Sequence, residues 1–418
     1  MASQLAILGG KPLRERPFPR WPTFDERERE QLTEVLEAGS WGGFPSPNRK
    51  AAEFAAQFAA FQGARFAIPT TSGTTALEAA LKALGIGPGD EVIIPAITFA
   101  ATAYAPVACI ARPVFADVRA DTVCIDPESV KRLITRRTKA IIPVHYGATL
   151  ADLDALAQIS RAHGIPIVED CAHVPGAAWR ERGVGAHGAL GCFSFQTTKP
   201  MTAGEGGMIT TNDAALEQRC QSLINCGRRR PGDTFEEPLL GANYRMTEWQ
   251  CGVLIAQLAR LPEQIETKSR NAARLREGLD AIRGLKAIPR DPRTTREVIY
   301  AFIFMVDETA LGVSRNRFVR ALRAEGIPAG VGNEPVYRSA LFPREVKPYR
   351  VACELAGADP DAPAECPVAE QLFEQAMVAI PHECLLGDER DVDDLVAAAA
   401  KVAAHARELK TARLERAA

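Results

Sequence analysis

Apolar and polar positions along this chain change period repeatedly, and that alternation predicts most of the architecture. From about residue 65, short all-apolar runs recur between stretches with helical spacing. Glu91-Val-Ile-Ile-Pro95, Pro113-Val-Phe-Ala116, Ala140-Ile-Ile-Pro-Val144 and Ile165-Pro-Ile-Val168 read as strands covered on both faces. Thr74 to Leu84 has the helical period and meets Gly85, the residue type that closes helices in the left-handed conformation. Leu150 to His163 is a second helical stretch. Such alternation predicts an α/β fold with a doubly wound, mostly parallel sheet. Sheets of this kind bind ligands at the carboxyl ends of their strands.

The two ends of the chain follow other rules. Residues 1–24, rich in Pro, Arg and Gly, read as an extended arm, after which Asp25 caps a charged helix from Glu26 to about Ala38. A long helical pattern from about Thr247 to Leu279, with a bend expected at Pro262, looks like a bridge between domains. Beyond it Val298 to Val306 is strand-like, while Val319 to Ala324 and Asp391 to Leu409 are helical. The expected organisation is therefore an arm (1–24), a large domain including the bridging helix (25–279) and a smaller C-terminal α+β domain (280–418).

Composition narrows the function by exclusion. The 418 residues are 46% hydrophobic and 24% charged, with a formal net charge of -2. No basic stripe interleaves with aromatics, which speaks against nucleic acid. No apolar run approaches the roughly 18 residues of a membrane span, and the N-terminus lacks the pattern of a signal peptide. Ten cysteines stand singly with no C-x-x-C pair, and the six histidines do not cluster with them. Reduced, buried thiols, no metal site and a cytoplasmic location are the expectation.

Candidate chemistry centres on Lys199, in Cys192-Phe-Ser-Phe-Gln-Thr-Thr-Lys-Pro-Met-Thr-Ala-Gly-Glu-Gly-Gly207. Upstream, Thr71-Ser-Gly-Thr-Thr75 opens a helix whose free N–H groups favour an anion, with Gly73 allowing close approach and Thr74 offering a hydroxyl. Asp170 ends the strand Ile-Pro-Ile-Val-Glu-Asp, and His173 follows three residues later. Phe99 follows another strand, while Ser194 and Gln196 project polar groups from the strand leading to Lys199. Each residue has a plain alternative: a helix cap, a strand-end carboxylate, a core aromatic, a solvated lysine. Taken in order, amine, carboxylate and phosphate cradle are what pyridoxal phosphate requires. Lys199 is then the Schiff-base lysine, and Asp170 keeps the pyridine nitrogen protonated.

Those motifs resemble the DegT/DnrJ/EryC1/StrS family of sugar aminotransferases. The likeness runs through Ser72-Gly-Thr-Thr-Ala-Leu77, Pro95 to Phe99, Glu169-Asp-Cys-Ala-His173, Phe193-Ser-Phe195, Lys199, Gly204-Glu-Gly-Gly207 and Gly241-Ala-Asn-Tyr-Arg245. It implies the aspartate-aminotransferase-like PLP fold type I, with pyridoxal phosphate covalently held by Lys199. Asp170 would pair with the pyridine nitrogen, Phe99 would stack on the ring and His173 would lie near its phenolate oxygen. Gly73, Thr74 and Ser194 would hold the phosphate, and Asn243 would reach the phosphate of the neighbouring subunit in a homodimer with shared sites. Gln196 before the lysine and Met-Thr-Ala-Gly-Glu-Gly-Gly after it look most like two branches. One comprises glutamine:scyllo-inosose aminotransferases; the other comprises 3-amino-5-hydroxybenzoate synthases. Pro200 departs from the Lys-Asn pair usual in nucleotide-sugar members.

The leading expectation is amino transfer from glutamine or glutamate to a keto-cyclitol or keto-sugar, of the kind found in aminocyclitol antibiotic biosynthesis. The alternative is a lyase that dehydrates and aromatises an aminoshikimate-type precursor. A scaffold that kept the fold and lost catalysis predicts an eroded cofactor set, and the set is intact. His145, Tyr146, Arg228 and Tyr337 are candidate substrate contacts; Arg228-Arg-Arg230 is either a phosphate contact or a solvated cluster.

Overall fold

The computed structural model describes residues 4–43, 48–228 and 238–412. Two runs of strands form its central sheet. Phe66–Thr70, Gly207–Thr211, Leu190–Ser194 and Val168–Asp170 lie side by side, as do Arg112–Ala116, Glu91–Pro95 and Thr138–Ile141. Parallel bridges from Ile141 to Ile167 and from Val144 to Asp170 join the runs into one seven-stranded surface. Gly207–Thr211 pairs antiparallel with both neighbours, and the remaining pairings are parallel. The doubly wound, mostly parallel sheet expected from the sequence is what the chain forms.

Adjacent residues on one strand supply opposite cores, because successive side chains point to opposite faces. Val92 and Ile94 join a core built under the helix Gly73–Ala83, while Ile93 faces a second core with Ile141 and Leu156. Cys192 and Phe193 divide in the same way. Beneath Phe193 and Phe195 lies the helix Arg49–Gln62, whose Phe54 and Phe58 meet them edge-on, ring centroids 5.0–5.6 Å apart. This aromatic layer seats the strand that carries Ser194 and leads to Lys199.

Two strands are offset from the apolar runs, the first beginning and ending earlier and the second beginning later. Ala140 to Val144 is hydrogen-bonded as Thr138–Ile141, and Ile165 to Val168 as Val168–Asp170. Pro143 and Pro166 lack the N–H a regular ladder needs. Their carbonyls still accept, from Asp170 and Ile141.

The C-terminal part is a three-stranded antiparallel sheet of Leu285–Ala287, Ala301–Val306 and Met377–Pro381. Helices Arg315–Ala324 and Glu389–Ala404 pack against it together with Ala272, Leu275 and Leu279 of the long helix. That long helix, Glu248–Asp280, runs as one element of 33 residues through Pro262. The charged helix Glu26–Ala38 begins at Asp25, with a full capping box from Glu28. The arm before it is anchored: Leu5 is fully buried in the C-terminal core. Buried Arg14 meets Asp391 at 2.7 Å and Asp394 at 2.6 Å.

Truncating Phe58→Ala removes the central ring of the aromatic layer. The expected loss is about 3–5 kcal/mol, the usual cost of emptying a buried phenylalanine site, measured by urea unfolding of the cofactor-free protein. A change below 1 kcal/mol would show that the layer collapses without cost.

Candidate active site

Four strands deliver their carboxyl ends to one cavity of about 420 Å³. Phe66–Thr70 leads into the helix that starts at Gly73, and Glu91–Pro95 leads to Thr98 and Phe99. Val168–Asp170 ends on its carboxylate, and Leu190–Ser194 continues to Gln196 and Lys199.

At the first of these ends, Ser72 caps the helix and exchanges hydrogen bonds with Thr75. The N–H groups of Gly73 and Thr74 meet no acceptor among the described residues. A Cβ on Gly73 would sit 2.8 Å from the Cβ of Ser194, so glycine keeps the helix end close to that strand. Two free amides and the Ser194 hydroxyl thus share one corner, the pattern that takes an anion at a helix N-terminus.

Asp170 is buried at 5% exposure. Its Oδ2 accepts from the Thr102 hydroxyl at 2.8 Å and its Oδ1 from the Ala172 N–H at 3.1 Å. Thr98 and Thr102, four residues apart at the start of a helix, are linked at 2.7 Å. Among the described residues no cation lies within ion-pair distance of Asp170. Burial raises its pKa, opposed by Thr102, the Ala172 amide and the charge of Lys199. Phe99 caps the next helix and stays 53% exposed, its ring without cover.

Lys199 is half-buried, and its Nζ makes no hydrogen bond among the described residues. It stands 4.4 Å from the centroid of Tyr300. Burial lowers its pKa to about 8, against the pull of Asp170. A turn holds it in place: the Gln196 side-chain oxygen accepts from the N–H and hydroxyl of Thr198, and the Lys199 N–H donates to the Gln196 carbonyl.

His173 stacks on Tyr300 at 4.0 Å and 21°. Its Nδ1 accepts from the Gly147 N–H at 3.2 Å, and burial, aided by Lys199, pushes its pKa well below the ordinary value. The ring is therefore neutral, with the hydrogen on Nε2 by inference from this network. Tyr300, Thr98 and Thr102 were not singled out from the sequence. The last two carried a signal, two hydroxyls four apart around Phe99.

A second cavity of about 730 Å³ shares His173, Thr198 and Tyr300 with the first. Tyr146 lines it and exchanges hydrogen bonds with Asn333, its hydroxyl donating to Oδ1 at 2.7 Å and accepting from the N–H at 2.9 Å.

Other expected contacts lie elsewhere. His145 is fully buried and lines neither cavity: its Nδ1 accepts from Ala151 and its Nε2 faces Glu169 at 3.3 Å. Glu169 also accepts from the N–H groups of Gly185, His187 and Gly188. Burial works to raise that carboxyl, but His145, His187 and the Gly188 amide hold it low. Cys171 is near enough to complete a metal-like trio with them, yet the carboxylate and imidazole are consumed by the fold. Tyr337 is buried against Phe115 and donates to Glu370 at 2.8 Å, away from both cavities. Arg228 lines neither cavity, and residues 229 and 230 are outside the described residues. Asn243 is exposed and does not reach the cavity of its own chain.

Residues 22–399 match the model of the DegT/DnrJ/EryC1/StrS aminotransferase family. A protein of Streptoalloteichus tenebrarius, provisionally named L-glutamine:3-amino-2,3-dideoxy-scyllo-inosose aminotransferase, is 42% identical, covering 96% of this chain and 98% of the relative. The L-glutamine:2-deoxy-scyllo-inosose aminotransferase of Micromonospora echinospora is 39% identical, with 97% and 99% covered. Among solved structures, a 3-amino-5-hydroxybenzoic acid synthase is similar with a TM-score of 0.83 and 34% identity, covering 94% of this chain and all of that one. With nearly its whole length matched and an amine, a carboxylate and an anion corner gathered at the strand ends, the chain belongs to the DegT/DnrJ/EryC1/StrS aminotransferase family.

Proposed function

We propose that the protein is a pyridoxal-phosphate-dependent aminotransferase that moves the amino group of L-glutamine onto a keto-cyclitol of the scyllo-inosose type. The observation that carries this is Asp170, a buried carboxylate without a cation, facing the first cavity together with the unbonded amine of Lys199. The residues fit the cofactor on three counts. Asp170 lacks a positive partner, which a protonated ring nitrogen supplies. Phe99 offers an uncovered aromatic face, and Gly73, Thr74 and Ser194 leave donors for a phosphate. When bound, the cofactor supplies an electron sink for the carbanion formed at the amino donor.

The chain's own groups have distinct tasks in this reading. Lys199 would hold the cofactor covalently, and its lowered pKa leaves part of the free amine unprotonated near neutrality. With its amine free, Lys199 Nζ would take the proton from the donor's α-carbon and, in the acceptor half of the reaction, deliver one to the former carbonyl carbon of the ketone. Thr102 and the Ala172 amide aim the Asp170 carboxylate. Neutral His173 would have its Nε2–H available to donate to the cofactor's phenolate oxygen. The second cavity receives the ketone, with Tyr146 and Asn333 on its wall. Residues 25–279 supply the cofactor part, 280–418 the cover of the acceptor cavity, and 1–24 the strap between them. Asn243, exposed here, serves the site of a second copy.

The lyase alternative draws support from the 3-amino-5-hydroxybenzoic acid synthase likeness, at 34% identity. Relatives named for glutamine and inosose ketones are nearer, at 42% and 39%, and they favour amino transfer.

With L-glutamine alone, the absorption band of the bound cofactor disappears and the keto acid of glutamine forms; an unchanged spectrum would refute amino transfer. In Lys199→Ala, borohydride reduction followed by intact-mass measurement finds no cofactor on the chain.

The lowered Lys199 pKa also sets a pH dependence. The unfolded chain holds this proton up to about 10.5 and the folded chain only to about 8. Its contribution to stability is therefore unfavourable below pH about 8 and is relieved as pH rises from about 8 to 10.5. Against Lys199→Met, wild-type cofactor-free protein gains stability across that window in urea titrations. A constant difference between the two proteins would contradict the lowered value.

If sites are shared, Lys199→Ala and Asn243→Ala are each impaired alone, and co-expressing them restores activity through mixed dimers with one intact site. No recovery would remove Asn243 from the partner's site.

A further inference from the structure

A second buried amine lies behind the Lys199 turn and takes no part in the chemistry above. Lys268, on the long helix, is 2% exposed, and its Nζ donates to Nδ1 of His382 over 3.0 Å. With Nδ1 accepting, His382 carries its hydrogen on Nε2, which donates to the carbonyl of Thr198 over 3.1 Å. One peptide earlier, the indole N–H of Trp21 donates to the carbonyl of Thr197 over 2.8 Å. Trp21 also meets His382 edge-on at 4.6 Å, and Lys268 Nζ lies 5.2 Å from the Trp21 ring. The two carbonyls before Lys199 are thus each held by a donor from a distant segment.

Within the turn, Gln196 binds the N–H and hydroxyl of Thr198 and leaves both carbonyls to those outside donors. Burial lowers Lys268 to about 7 and, with the charge of Lys268, holds His382 well below its ordinary value. Glu383 is the counter-charge that raises Lys268. An amine kept here against its desolvation cost calls for a reason that packing does not supply, since an apolar side chain fills such a site more cheaply.

We propose that Lys268 and His382 form a positioning pair for Lys199. Lys268 fixes the His382 tautomer, His382 holds the Thr198 carbonyl, and the turn so held keeps the Lys199 amine sheltered and aimed into the cofactor cavity. The inference rests on Lys199 being the cofactor lysine.

The test compares Lys268→Met, His382→Leu and His382→Gln with wild type. Gln keeps an N–H donor near the position of Nε2, whereas Leu removes it. In the cofactor-free proteins, competitive acetylation of Lys199 across pH, read by peptide mass spectrometry, reports its pKa. Lys268→Met and His382→Leu are expected to raise that value from about 8 toward 10.5, as the loosened turn lets the amine reach water, and His382→Gln is expected to stay near 8. In cofactor-loaded protein, the single-turnover rate with L-glutamine falls roughly 10- to 100-fold in the first two, as expected for a misplaced reacting group, and His382→Gln regains most of it. Thermal unfolding of each variant separates folding from aim. A lower melting temperature with an unmoved Lys199 pKa and an unchanged single-turnover rate would overturn the proposal. Lys268→Met, close to lysine in volume, carries the comparison if His382→Leu does not fold. Wild type failing to hold cofactor or react with L-glutamine would instead overturn the proposed function, while the acetylation result still decides the role of the pair.

Discussion

A carboxylate buried without a cation is costly unless something compensates it, and Asp170 is such a group at the middle of the sheet's carboxyl edge. Thr102 and the Ala172 amide orient it without neutralising it. The rest of the cavity is arranged around that deficit. Lys199 brings positive charge, and the free amides of Gly73 and Thr74 await negative charge at another corner. Taken singly, these groups look unfinished. Together they match the zwitterionic, aromatic, phosphorylated guest proposed above.

Adjacent Glu169 and Asp170 show how one strand separates structural from chemical charge. They point to opposite faces, so a single peptide bond decides their environments. Glu169 receives three amide hydrogens and the His145 imidazole, which hold it ionised as a post between loops. Asp170 receives two hydrogen bonds and is pushed the other way by burial. The sheet thus stores one carboxylate for stability and presents the next for chemistry.

Much of this was legible from the sequence because it is local. The strand ends, the capped helix at Gly73 and the Lys199 turn each follow from residues within about ten positions of one another. A histidine just after a strand, as at His145, reads the same from sequence whether its partner is a ligand or Glu169 across the fold. The ring of Tyr337 suits both a substrate wall and a core, and only the fold shows that Glu370 satisfies its hydroxyl. Tyr300 was invisible for the opposite reason: it lies 101 positions after Lys199, the distance between their numbers, and only the packing of the C-terminal sheet brings them together. Strand bounds shifted where Pro143 and Pro166 interrupted the ladder, a backbone matter that apolar periodicity does not register.

The docked N-terminus carries a consequence for how the molecule is made. Leu5 and Arg14 are secured by residues near the other end of the chain, Arg14 by Asp391 and Asp394, and Trp21 reaches the carbonyl of Thr197. Residues 5–21 therefore have nowhere to settle until the helix Glu389–Ala404 has been made. The central sheet can assemble while synthesis continues, but contacts this distant in sequence close late and slowly. Synthesis of the C-terminal sheet and of the helix behind it, rather than completion of the central sheet, is the event that lets the lysine turn acquire its outer support.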